Sequence, residues 1–319
     1  MPKISVLMAA YNETDEQVNA ALASIVAQTE TDFELLLVLD NPTNEPLKAL
    51  LTDWQARDER IKLLINPTNL GLAASLNKGL AAATAPYIAR MDADDIAKPE
   101  RFATQLTLMD AHDFDALSTN AQFIDEAGQV VGEHNWIPET PEGLAQLLPY
   151  GSNLIHPSMM LKRSVMTDLG GYRALPTAED YDLWLRFLKT GHQIGATNQQ
   201  LMQYRLRGNS MTQGDRFKVF LVTQYLQAAY RRDQYPDADT EATEIQAYLK
   251  AHGAMDKQKA DRFSQRVINL SAGKKALQQK HVFKAIGLVV PVLLDKDVRA
   301  YAQQSRQFNA VYAELRRRQ

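Results

Sequence analysis

The chain has 319 residues, 45% hydrophobic and 23% charged, with no cysteine and a formal net charge of −3. Such a composition supports a large buried core and excludes disorder, collagen-like repeats and coiled coil as the main architecture; the missing thiols exclude a disulfide scaffold, thiolate zinc sites and a thiol nucleophile. The charge is unevenly spread: residues 1–212 hold 16 Lys/Arg against 27 Asp/Glu (−11), and residues 213–319 hold 19 against 11 (+8).

Ile4 to Ala10 is a continuous apolar run that stops at Tyr11-Asn12, the pattern of a buried parallel strand opening into a loop. Helical spacing follows from about Asp15 to Gln28, then a second strand, Glu34 to Leu39, ends at Asp40. A helix from Leu47 to Arg57, a strand from Ile61 to Ile65, a helix from Leu72 to Ala83 and a strand from Tyr87 to Met91 complete the first hundred residues. This alternation predicts an α/β fold: a mostly parallel, Rossmann-like sheet with helices on both faces. Beyond Arg101 the pattern loosens into a hairpin around Asp125-Glu126-Ala127-Gly128, a short helix at Pro138 to Leu148, a strand at Ser158 to Leu161 and an amphipathic helix from Ala178 to Thr190. From about Asp215 the spacing is helical, with breaks expected at Tyr235-Pro236, His252-Gly253 and Pro291. The longest apolar stretch, Ala285 to Leu294, has 10 residues, where spanning a bilayer takes about 20. With no leader pattern either, a cytoplasmic protein is expected, or one peripheral at the inner face of a membrane.

In open α/β sheets ligands sit outside the carboxyl ends of the strands. Here those ends are polar: Tyr11-Asn12-Glu13, Asp40-Asn41, Asn66 to Asn69 and Asp92 to Asp95. Asp92-Ala93-Asp94-Asp95 is central, because carboxylates at i and i+2 on a strand end can converge on one hard cation. Read alone, Asp95 could instead cap a following helix. A calcium loop lacks its glycine and terminal glutamate, the dinucleotide fingerprint G-x-G-x-x-G is replaced by AAYNET, and no P-loop pattern occurs.

Five segments in order, SVLMAAYNE, LLLVLDNPTN, NLGLAASLNKGL, YIARMDADDIAKPERF and AEDYDLWLRF, resemble the inverting nucleotide-sugar glycosyltransferases of family 2, which have the GT-A fold. The resemblance covers roughly residues 3–210 and implies the following roles. Ala10, Tyr11 and Glu13 would line the base pocket, and Asp40 would accept a hydrogen bond from a uracil imide, favouring a UDP-sugar donor. Asn69, Gly71, Ser75 and Asn77 would border the nucleotide. Asp92 would touch the ribose or the metal, and Asp94 would ligate Mn²⁺ or Mg²⁺ on the diphosphate. Asp180 would be the general base beside Glu179 on the acceptor side. Without the resemblance, Glu179-Asp180 reads as ordinary N-terminal helix charge.

Three positions depart from the family pattern. Where relatives carry a metal-shell histidine, this chain has Tyr204-Arg205-Leu206-Arg207; an arginine cannot ligate a metal but can clamp a diphosphate. The usual arginine of the third motif is Leu76, and the usual aspartate pair is Leu39-Asp40. Trp136 in a polar loop and His156 are candidate acceptor contacts, with packing the alternative for His156; Trp184 at core spacing reads as buried.

The expected organisation is a catalytic domain over 1–212 (nucleotide half 1–100, acceptor half 101–212) and a helical region over 213–319. The basic pairs of the tail, Arg231-Arg232 and Lys274-Lys275, and Arg316-Arg317-Arg318 could rest on anionic lipid, form a homodimer or pack on the catalytic domain. No nucleic-acid-binding pattern appears. A glycan or lipid-linked saccharide acceptor, in cell-surface polysaccharide synthesis, is what the resemblance implies. The competing readings are a sugar nucleotidylyltransferase, which would need a Gly-rich, Arg-containing loop after the first strand, and a non-catalytic sugar-binding protein.

Overall fold

The structure is a computed structural model that describes residues 1–207 and 215–318, so the expected boundary at 212/213 lies outside the described residues. The chain divides into two compact units. One comprises Met1–Gln146, Ser152–Ala174 and Asp182–Arg207; the other comprises Leu147–Gly151, Leu175–Tyr181 and Gly208–Gln319.

The first unit is built on a nine-stranded sheet. Its strands are β1 (Ile4–Ala10), β2 (Phe33–Leu39), β3 (Ile61–Ile65), β4 (Tyr87–Asp92), β5 (Ile96–Ala97), β6 (Ala116–Ile124), β7 (Val130–Glu133), β8 (Met160–Lys162) and β9 (Ile194–Arg205). The order is β3-β2-β1-β4-β8-β6-β9-β5, with β7 added on β6. Strands β1 to β4 pair in parallel, as their apolar runs predict. The sheet as a whole is mixed, which corrects the mostly parallel expectation. β8 enters between β4 and β6, antiparallel to both, and β5 and β7 also pair antiparallel. In the second half β6 and β9 pair in parallel over their length, while the short strands β5, β7 and β8 take the antiparallel sense.

Helices α1 (Asp15–Val26), α2 (Glu45–Arg57), α3 (Leu72–Ala82) and α4 (Arg101–His112) connect these strands. Thr14 and Gln17 form a reciprocal capping box that starts α1, and Asn44 caps α2. Because side chains alternate along a strand, the two faces of β1 and β2 carry separate packing. Ile4, Val6, Met8, Leu35, Leu37 and Leu39 join Val18, Leu22 and Ile25 of α1 in one core. On the other face α3 lies so close that a Cβ at Gly79 would meet Leu7 at 3.1 Å and Val38 at 3.7 Å. Three further helices follow: α5 (Pro141–Leu147) and α7 (Glu179–Lys189) lie close to the expected positions, and α6 (Arg163–Asp168) is a short helix that the sequence reading did not expect.

From residue 215 onward the second unit is helical: α8 (Arg216–Tyr230), α9 (Ala238–Ala251), α10 (Lys257–Gln278), α11 (Val282–Leu293) and α12 (Lys296–Arg317). Aspartates 215, 237, 256 and 295 each cap the helix that follows. Phe217 and Phe220 pack on Phe263 with ring centroids 4.9 and 5.2 Å apart. Two of the expected breaks fall between helices. The break expected at Pro291 does not occur there: α11 runs through it and the chain turns at Leu294-Asp295. The helix forgoes one hydrogen bond at the proline nitrogen.

Candidate active site

The parallel strands deliver their polar ends to one edge. β4 ends at Asp92, and the turn after it brings Asp92, Asp94 and Asp95 together, one carboxylate oxygen of each lying within 4.8 Å of the others. Asp95 is buried; its Oδ1 accepts the Arg205 N–H at 2.8 Å, and its Oδ2 has no hydrogen-bond partner. Asp95 does not cap a helix, since α4 begins at Arg101. Burial first, then the Asp92 charge, pushes the Asp94 carboxyl up to about 6, and the same causes with Asp94 raise Asp95 well above the carboxylate range. Three crowded carboxylates with a buried, unpartnered oxygen are a donor set that fits a hard divalent cation.

Arginines surround this cluster. Arg90 is two residues before Asp92 on the same face of β4; it is buried and meets Asp92 Oδ1 at 2.5 Å. Arg101 is also buried and donates to the Arg90 carbonyl at 2.7 Å, tying α4 to the back of the strand. Arg205 donates to the Asp94 carbonyl at 2.8 Å and to the carbonyls of Asp125 and Glu126. Arg207 reaches Asp94 Oδ2 at 2.5 Å and lies 3.6 Å from Glu13 Oε1. The structure therefore brings Glu13, Asp92, Asp94 and Arg207 to one place. It adds Asp95 and Arg90, which the sequence reading did not include. A charge inside the apolar strand YIARM was the available signal for Arg90, because a buried guanidinium needs a carboxylate nearby.

Ala10 ends β1 buried, and Tyr11 is exposed with its N–H donating to Glu13 Oε2 at 2.7 Å. Asp40, at the end of β2, is buried and already engaged. Its Oδ1 accepts from Asn66 Nδ2 at 2.6 Å and the Leu70 N–H at 2.8 Å; its Oδ2 accepts the Gly71 N–H at 2.9 Å. Those bonds use three of the about four acceptor positions of a carboxylate. Asn66 also donates to Ser75 Oγ at 2.9 Å, and Asn69 accepts the Gly71 N–H at 3.1 Å. Gly71 has φ +85° with open space where a Cβ would stand, so its conformation, not crowding, demands glycine. Asn77 is spent elsewhere: it donates to the Tyr172 carbonyl at 2.7 Å and accepts the Tyr172 N–H at 2.8 Å.

On the acceptor-side candidates, His156 Nε2 lies 2.8 Å from the Tyr172 hydroxyl, and burial together with Arg90 holds its pKa well below the ordinary histidine value. The Trp136 carbonyl accepts from Asn153 at 3.0 Å. Trp184 is fully buried. Glu179 and Asp180 open α7, in the segment grouped with the second unit, and Asp180 Oδ1 accepts the Tyr181 N–H at 2.8 Å. Asp182 is buried and paired with Arg186 at 2.8 Å, whose other nitrogens hold the carbonyls of Leu169 and Gly171. That pair fixes the turn before Tyr172.

A family model described as Glycosyl transferase family 2 matches residues 5–170. An uncharacterized glycosyltransferase of Methanocaldococcus jannaschii is 33% identical over 222 residues, 69% of this chain and 77% of the relative. The amylovoran biosynthesis glycosyltransferase AmsE of Erwinia amylovora is 35% identical over 205 residues, 63% of this chain and 75% of the relative. Among solved structures, S. aureus TarS residues 1–349 in complex with UDP superimposes with a TM-score of 0.60 at 18% identity, covering 99% of this chain and 92% of that one. The mannosyltransferase PcManGT from Pyrobaculum calidifontis, in complex with GDP-Man and Mn²⁺, does so with a TM-score of 0.59 at 16% identity, covering 98% and 87%.

Proposed function

Since the chain belongs to glycosyl transferase family 2, we propose that it moves a sugar from a UDP-sugar to a glycan or lipid-linked saccharide, inverting the anomeric centre, in the synthesis of a surface polysaccharide. It is a glycosyltransferase that draws on a nucleotide-sugar donor. The observation that carries the reading is the gathering of Asp92, Asp94 and Asp95 at the strand edge where such folds bind ligands. These three carboxylates would hold Mg²⁺ or Mn²⁺, which when bound neutralises charge growing on the leaving diphosphate. AmsE supports the polysaccharide context and the UDP complex of TarS the uridine donor; the GDP-Man complex of PcManGT supports the alternative of a guanosine donor.

In this reading Tyr11 and Glu13 line the base pocket. Asp40 acts by holding the 66–71 turn, with Asn69, Gly71 and Ser75, against the nucleotide. Asp180 removes the proton of the acceptor hydroxyl while that oxygen bonds to the anomeric carbon; the bond to the diphosphate oxygen breaks on the opposite face, and configuration inverts. Trp136, His156 and Glu179 are assigned to the acceptor and sugar. The basic helices of the second unit are assigned to peripheral contact with the inner face of the membrane, with self-association as the second reading. Incubation with a panel of UDP- and GDP-sugars and Mn²⁺ tests the donor: faster release of UDP is expected, and release of GDP alone would overturn the uridine assignment.

Arg207 has a distinct part. Its guanidinium occupies the Asp94 carboxylate that a metal would share, and in this reading it turns onto the diphosphate once donor and metal bind. Arg207→His removes the resident cation and supplies an imidazole. Mn²⁺ affinity without nucleotide is then expected to rise on the order of tenfold, the equivalent of one charge-assisted pair. Electron paramagnetic resonance of free Mn²⁺ reads this, and an unchanged affinity would remove Arg207 from competition for the site.

A further inference from the structure

Among the described residues of helix α11 and its C-cap, one stripe is exposed. The helix packs against α10 and α12, with Val292 buried. About half a turn round the helix from Val292, Phe283 and Leu294 stand 93% and 80% exposed, with Ile286 and Val290 exposed between them. The spacing of three and four residues puts these side chains in one stripe. Leu277, at the end of α10, is exposed as well.

The exposed charges on either side of the stripe in sequence have one sign. Lys274, Lys275, Lys280 and Lys296 are all exposed. The only acids between residues 269 and 299 are Asp295 and Asp297, and both are spent internally: Asp295 pairs with Arg266 and Asp297 with Lys259 at 2.9 Å. Among the described residues no helix is long and apolar enough to cross a membrane. A short apolar stripe flanked by lysines is the pattern of a helix that lies in an interface.

We infer that the Phe283, Ile286, Val290 and Leu294 face of α11 docks into an anionic bilayer surface, with Lys274, Lys275, Lys280 and Lys296 over the headgroups. A second copy of the chain fits less well. A stable interface buries about 800 Å² per partner, far more than one stripe about 18 Å long offers. A two-fold contact would also set each lysine cluster against its own copy, whereas acidic lipid satisfies both features at once. The inference rests on the membrane reading above and on nothing in the catalytic cluster.

The test uses the full chain without donor or acceptor, so its failure leaves glycosyl transfer untouched. The protein is sedimented with vesicles of phosphatidylglycerol and phosphatidylethanolamine, and with vesicles of phosphatidylcholine alone. Binding to the anionic vesicles is expected at low salt, falling as salt screens the lysines. The double variant Phe283→Ser, Leu294→Ser changes only exposed side chains, and its partition is expected to fall on the order of tenfold at every salt concentration. Lys274→Gln with Lys275→Gln is expected to weaken binding at low salt alone. No sedimentation of the parent with anionic vesicles, or full binding by the Phe283→Ser, Leu294→Ser variant, overturns the inference. So does a lipid-free dimer that the same variant dissolves.

Discussion

Asp180→Asn is expected to lower turnover by about 10²-fold to 10⁴-fold, the usual contribution of a positioned general base, while leaving nucleotide affinity within a factor of about two. The reasoning is chemical. An acceptor hydroxyl is a poor nucleophile until its proton is taken, and an amide of the same shape cannot take it. Asp180 sits in the first turn of α7, and the Tyr181 N–H that its Oδ1 accepts can be accepted by an asparagine oxygen as well. The loss of negative charge at a helix N-terminus costs about 0.3–1 kcal/mol. Steady-state kinetics with calorimetry of UDP binding separates the outcomes. A fall in turnover with intact binding supports the assignment; near-normal turnover places the base elsewhere. Asp182 is a poor substitute, since it is buried and paired with Arg186.

Asp94→Ala should act on the other half of the reaction. Mn²⁺-dependent nucleotide affinity is expected to fall about 10²-fold or more, beyond what outlying metal-site partners cost. The fold should not suffer. Burial and the neighbouring Asp92 charge raise the Asp94 carboxyl to about 6, so its ionised form is a burden on the metal-free protein. Since that pKa is raised on folding, the stabilisation from protonated Asp94 is present at low pH and lost as pH rises through about 6. Going from pH 7 to pH 5 should therefore change the melting temperature of the metal-free parent more favourably than that of the alanine variant, the difference between the two being the Asp94 contribution. Mn²⁺ should raise the melting temperature of the parent at pH 7 and leave that of the variant nearly unchanged. An equal Mn²⁺-induced shift in both would remove Asp94 from the metal set.

The parallel half of the sheet was legible because β1 and β2 are nearly unbroken apolar runs with polar ends, and the edge strand β3 is apolar at all but Lys62. Ile4–Ala10 and Ile61–Ile65 have the expected bounds to the residue. The second half was not, for physical reasons. β9, IGATNQQLMQYR, carries four consecutive polar residues at its middle and breaks the alternation that marks a strand. β5 is two residues long and β8 three, too short for any periodicity. Nothing local says that β8 inserts between β4 and β6, since pairing order depends on contacts distant in sequence.

The acidic cluster was visible through Asp92 and Asp94, but Asp95 resembled a helix cap until the structure placed α4 six residues on. Asp40 and Asn77 show a different limit. Polar residues beside a ligand and polar residues that hold a turn have the same composition, so the hydrogen bonds that Asp40 and Asn77 make to Leu70, Gly71 and Tyr172 could not be read from the sequence.

The central claim is that the Asp92, Asp94 and Asp95 cluster grips a diphosphate through a divalent cation. Calorimetric titration of UDP into the full chain, first with Mn²⁺ and then with the metal stripped by EDTA, tests it most directly. Saturable binding with Mn²⁺ that weakens at least tenfold on stripping is the result expected. Equal affinity in both conditions, or no binding in either, would contradict the account.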